Sequence, residues 1–390
     1  MKVFTCLLIS YYVLTMLFPH SNVNLSSDRI YPQVVMALLS IYMFIQALKN
    51  WRVIANVKLL SSFTPLLLLI IFYVIYPLSS PNGESVLYSN IIWILKNIIG
   101  IPFMLYIFVQ LQKDEEKNIQ YIYTIYIMQI IYAVYSLMID RINYSILIGE
   151  HGFDSNAGFI LISCIPMALL ISNKRLRIYL VCMLVLACVF SGQRSAALAA
   201  AICIPFCISS LKSSIKTVDI VILLLAFIVI GLPVLSDSID NLALRHEIDT
   251  ESDSYGSGRS VFWAYVWEGV WDQPLLSFFG HGTCSVPYLL SQKYGMPIYS
   301  HNGFLDYLYM YGIIGLVFYI KPLFEILRHN KVYNMLVLQD KNILLILFIL
   351  FITKSASSHG NWDISALPLA MTVAIAAHKI EMAKNGLDEE

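Results

Sequence analysis

The stretch LVCMLVLACVFSGQRSAALAAAICIPFCISSL, residues 180–211, sets two long apolar runs on either side of one polar tetrapeptide, Ser191-Gly192-Gln193-Arg194. Apolar runs of this kind recur from end to end, at 3–19, 31–48, 59–78, 89–111, 119–139, 157–173, 177–190, 195–211, 218–235, 302–326, 341–354 and 364–379. About 20 apolar residues cross a bilayer as a helix, and backbone polar groups in lipid must be satisfied within the segment. The pattern therefore predicts an all-α polytopic membrane protein of about twelve spans, with 177–190 and 341–354 the shortest. The short alternating segments of a β-barrel do not occur. Charged residues make up 13% of the chain, against about 25% in soluble domains. A net charge of zero argues against a nucleic-acid partner.

The basic residues orient the spans. Lys49, Arg52 and Lys58, Lys113 and Lys117, Lys174, Arg175 and Arg177, Lys212 and Lys216, and Arg328, Lys331 and Lys341 fall in one set of loops, with Lys2, Lys379 and Lys384 at the ends. The opposite set holds only Arg29, Arg141, Arg194 and Lys354, apart from the long loop with Arg245, Arg259 and Lys293. Cytoplasmic loops collect the excess of lysine and arginine. Both termini are therefore expected in the cytoplasm, with Arg194 and the 236–301 loop on the outer face of a single membrane domain, 1–390. The first apolar run lacks a small-residue cleavage site and reads as a retained helix. The seven cysteines show neither disulfide nor metal spacing and read as small packing residues.

The outer loop is where the sequence becomes unusual. Asp237, Asp240, Glu247, Asp249, Glu251 and Asp253 face one basic residue, Arg245. Carboxylates at 249, 251 and 253 could hold a divalent ion, although a solvated acidic segment is the plainer reading. In GSGRSVFWAYVWEGVWDQP, 256–274, Ser257 or Gly258 can cap a helix that Asp272-Gln273-Pro274 ends. Arg259, Trp263, Trp267 and Trp271 then form one stripe on that helix. It suits either headgroup depth or a sugar- or lipid-facing platform beside an anion-binding arginine. The loop closes on His301 and Asn302 at the start of the next span, with Asp306 one turn on. Ordinary capping explains the pair, and so does a histidine whose ring Asp306 orients.

Three separated pieces, SGQRSA at 191–196, GSGR with its aromatic helix at 256–271, and SHNGFLDYLYMYGIIGL at 300–316, resemble the O-antigen polymerase and ligase superfamily. HGFDSNAGFILI at 151–162 is similar to a polar segment of that family, less specifically. The resemblance covers roughly 150–320. It implies a bacterial inner-membrane glycosyltransferase that moves glycan from undecaprenyl pyrophosphate to an acceptor hydroxyl on the periplasmic side, without metal or other cofactor. By matching positions, Arg194 and Arg259 would bind the pyrophosphate and His301 would act at the acceptor hydroxyl, with Asn302, Asp306, Trp263 and Trp267 in support. Its partners would be the lipid-linked oligosaccharide, membrane lipid and a separate chain-length regulator.

The chemistry suits those residue types. Arginine neutralises a leaving pyrophosphate with a permanent charge and a bidentate fork, and a near-neutral histidine can take a hydroxyl proton. The compact interval from Arg259 to His301 and the short chain favour a polymerase of repeat units. A ligase acting on lipid A–core is the alternative. A flippase for the same lipid-linked glycan is the reading from another class. It would place charges within spans, where Lys96 is the main one, and would often show an internal repeat, which is absent.

Overall fold

A computed structural model describes residues 1–17, 30–75, 99–147, 155–211, 259–295, 298–336, 342–357 and 362–388. Every regular element among them is helical. In chain order they are α1 (Lys2–Leu17), α2 (Ile30–Lys49), α3 (Trp51–Ala55), α4 (Lys58–Ser61), α5 (Thr64–Ile75), α6 (Gly100–Lys113), α7 (Glu115–Leu147), α8 (Ala157–Ser163) and α9 (Ile165–Leu169). There follow α10 (Lys174–Phe190), α11 (Arg194–Leu211), α12 (Arg259–Trp271), α13 (Pro274–Phe279), α14 (Ser285–Tyr294), α15 (Gly303–Leu336), α16 (Ile343–Ser357) and α17 (Leu367–Asp388).

Among the described residues, three helical stretches are long and apolar enough to cross a membrane: Glu115–Ile142, Arg194–Leu211 and Gly303–Met335. Shorter apolar helices accompany them, Lys2–Leu17, Ala157–Leu169 and Ile343–Ser357 among these. The runs expected at 177–190 and 195–211 appear as α10 and α11, turned at the polar tetrapeptide. The run at 218–235, the acidic segment 237–253 and Lys96 lie outside the described residues.

Two expected spans are not single helices. The run 157–173 divides into α8 and α9 at Cys164, just before Pro166. The run 302–326 starts α15, but Gly312 (φ 67°, ψ −170°) interrupts the helical geometry. One charge is also relocated. Lys354, expected in an outer turn, lies inside α16 and is only 3% exposed.

The centre of the bundle is α6, every residue of which from Gly100 to Leu111 is buried. A helix apolar on all sides belongs inside, and α6 packs against α17 and α2. Gly100 makes the closest approach. Its N–H donates to Trp362 O at 2.6 Å, and a Cβ there would stand 2.9 Å from the same oxygen.

Between helices in lipid, burial gives little drive. Close packing and interhelical hydrogen bonds, each about 0.6–2 kcal/mol, hold the bundle. Tyrosines supply many of the bonds. Tyr126 OH donates to Cys164 O at 3.0 Å, Tyr135 OH to Met16 O at 2.7 Å, and Gln129 Nε2 to Tyr12 OH at 2.8 Å.

Candidate functional site

The α10–α11 turn is built from its own residues and one neighbouring segment. Gly192 takes the left-handed conformation (φ 68°) that reverses the chain. Ser191 Oγ donates to Cys188 O at 2.6 Å and accepts from Gln193 N at 3.3 Å. The start of α8 is its seat. Ser155 N donates to Ser191 O at 2.9 Å, and Gln193 Nε2 to Asn156 Oδ1 at 3.4 Å. Gly158 lets the turn approach, since a Cβ there would stand 2.4 Å from Ser191 Oγ. Arg194, half-buried, is the first residue of α11.

The turn before α15 is held from farther away. Ser300 is fully buried. Its N–H donates to Asp306 Oδ1 at 3.1 Å, and its carbonyl accepts from Trp263 Nε1 at 2.7 Å. Asn302 Oδ1 accepts from Leu305 N at 3.2 Å, which caps the helix. Between them His301 has φ 60°, a conformation that residues other than glycine adopt only where neighbours impose it. Asp306 departs from the sequence reading. Its carboxylate holds the Ser300 amide and does not hydrogen-bond the imidazole, and Oδ2 has no hydrogen-bond partner among the described residues. A side chain one turn into the helix points back at the cap, so it reaches the turn's backbone first.

Arg259 opens α12, and its Nη1 donates to Ser357 O, the last residue of α16, at 3.4 Å. It also lies close enough to act on His301. Burial first, and the Arg259 charge second, hold the His301 imidazole below the ordinary histidine range. Arg194 sits on a neighbouring element, since α11 packs along α16.

Beside the turn, a groove of about 470 Å³ runs between α12 and α15, with Trp263, Trp267, Asn302, Leu305, Leu308 and Leu316 among its walls. It starts polar at Asn302 and becomes apolar along α15. The interruption of α15 is itself a docking point. The carbonyls of Tyr309 and Met310 accept from His281 N at 3.0 Å and Gly282 N at 2.8 Å. The His281 ring stacks on Tyr309, 4.0 Å between centroids and 1° between planes. Gly280 and Gly312 make this docking possible. A Cβ at Gly312 would stand 2.2 Å from Phe278 O, and one at Gly280 would stand 2.3 Å from Met310 O. Sequence reasoning passed over this contact. Its only signals are the glycines around His281 and one glycine within an aromatic run.

Residues 157–320 match the family model of the O-antigen ligases. Over this segment the chain is similar to the O-antigen ligase and polymerase superfamily. No curated protein and no solved structure matches. That similarity and the apolar helices support a membrane protein related to glycan-transferring, lipopolysaccharide-related enzymes. The matched segment contains Arg194, Arg259, His301 and the interruption at Gly312.

Proposed function

We propose that the protein polymerises undecaprenyl-pyrophosphate-linked oligosaccharide repeat units at the periplasmic face of the bacterial inner membrane. The observation that carries this reading is the Arg259 charge acting on a half-buried His301, in a turn whose next residue, Asn302, lines an apolar groove. A lipid-linked pyrophosphate needs those parts together: a permanent cation for its charge and an apolar wall for its chain.

In the proposed reaction a hydroxyl of the acceptor repeat attacks the anomeric carbon of the donor glycan. The new C–O bond forms as the bond to pyrophosphate breaks. The pyrophosphate leaves with the electron pair, its charge met by Arg259 and Arg194. His301 Nε2 or Nδ1 takes the hydroxyl proton as the bond forms. Asn302 and Asp306 fix the turn that presents His301, and Trp263 and Trp267 wall the groove. With about twelve spans and cytoplasmic termini, the 236–301 loop would carry Arg259 on the outer face.

The description of the matching family as O-antigen ligase favours a second reading, transfer of finished glycan to lipid A–core. Incubating the purified protein with both the lipid-linked repeat unit and lipid A–core separates them. Polymerisation predicts longer lipid-linked chains. Transfer to lipid A–core without elongation would sink the polymerase reading, and no transfer at all would sink both.

A further inference from the structure

Lys354 is buried inside an apolar helix, yet none of the proposed chemistry uses it. Its Nζ donates to Asp363 Oδ1 at 2.7 Å and to Ser365 Oγ at 2.6 Å. Ser365 Oγ in turn donates to Asp363 Oδ1 at 2.6 Å. Lys354 is buried and its partner Asp363 is a quarter exposed. Taking the lysine's charge out of water is expensive and an apolar side chain often packs as well there, which points to a role besides stability.

Their placement shows what they tie together. Lys354 lies one turn before Ser357, whose carbonyl receives Arg259. Asp363 follows Trp362, which is fully buried against Phe63 and Phe351 and bonded through its carbonyl to Gly100 of the central helix. The pair thus anchors the last turn of α16 to the centre of the bundle. The same turn is tied to α15 by Ser355 Oγ and Tyr319 OH, 2.9 Å apart. The helix that starts at Arg194 packs along α16 as well. We infer that Lys354 and Asp363 are a positioning pair that holds the end of α16 as the seat of Arg259, an inference that rests on the proposed pyrophosphate role of that arginine.

The test uses the full chain in nanodiscs and a double variant, Lys354→Met with Asp363→Leu, which strands neither charge. Two readouts are taken beside wild type and Arg259→Gln: affinity for inorganic pyrophosphate, and the acid limb of kcat/KM with the lipid-linked repeat unit. The double variant should lose roughly tenfold to a hundredfold in affinity, the scale of a misplaced binding group. Its acid limb should move to higher pH, toward that of Arg259→Gln, because a displaced guanidinium no longer depresses His301. Lys354→Arg, which keeps the charge and changes its geometry, should shift both readouts in the same direction by less. A folded double variant with wild-type affinity and limb overturns the inference. So does one that loses turnover while its limb stays in place, which a merely structural pair would give. If the double variant does not fold, wild-type readouts in Lys354→Arg overturn it. Should Arg259→Gln leave both readouts unchanged, the pyrophosphate reading itself fails and takes the inference with it.

Discussion

The turn at Ser191–Arg194 is closed by its own serine and glycine and by the first residues of α8, whereas the turn at Ser300–Asn302 is closed by an indole and a carboxylate from two other elements. Both present a basic residue at the start of a helix. The first is closed largely by its own residues and seated through Ser155 and Asn156. The second is capped by its own neighbours Asn302 and Asp306 and also takes an indole from α12. A histidine kept on a left-handed backbone by a turn bonded on both sides is held in position before any substrate arrives.

The comparison can be broken most sharply at His301. Asparagine tolerates the same backbone, so His301→Asn should keep the fold and lower turnover by about 10²–10⁴. Elongation of lipid-linked repeats by purified variant and wild type at equal abundance measures it, and near-wild-type turnover would remove His301 from the chemistry.

Next come two glycines with nearly the same φ, 67° at Gly312 and 71° at Gly295. Gly295→Ala meets nothing within 4 Å, so its expected cost is the backbone preference alone, about 1–2 kcal/mol. Gly312→Ala drives a Cβ into the Phe278 carbonyl, and loss of several kcal/mol or of folded protein is expected. Thermal unfolding in detergent compares them. Equal effects would mean that the docking at the interruption matters little.

Arg259→Lys and Arg194→Lys retain charge and lose the fork. Each should reduce kcat/KM about tenfold, the scale of one charge-assisted hydrogen bond. Full activity in both would end the pyrophosphate assignment. The pH profile carries a sign as well. His301 must be neutral to accept a proton, and burial with Arg259 lowers its pKa. The acid limb of kcat/KM should therefore lie below the ordinary histidine value of about 6.5, and a limb above that value would contradict the pairing.

The smallest effect is expected at Trp263→Phe, which keeps the ring and removes the N–H donated to Ser300 O. About 1 kcal/mol is at stake. It should appear in turnover more than in thermal stability, since the fold has other contacts there and the His301 turn has few.

Much of this was legible in the chain. The runs on either side of Ser191–Arg194 became α10 and α11, and Asp272-Gln273-Pro274 did end a helix at Trp271. Those are local matters of periodicity and breakers. The sequence also marked Arg259 and His301, because charged and titratable side chains are rare in such a chain. It left open whether Asp306 caps the turn or orients the ring, since residue spacing along a helix says nothing of which turn atom a carboxylate meets first; here the carboxylate holds the Ser300 amide. It put Lys354 in a loop, because a lysine near the end of an apolar run looks the same whether it meets water or an aspartate.

The sequence by itself determined an all-helical chain with helices apolar enough to cross a membrane, and it pointed to the polar turns where chemistry could gather. Helical period and bilayer length act on each segment alone, so they can be read segment by segment. Only the tertiary structure decided that α15 is interrupted at Gly312, that the Arg259 charge acts on His301, and that Lys354 is paired with Asp363. The bonds involved reach from 9 to 98 positions along the chain, and packing, not local preference, chooses the partner.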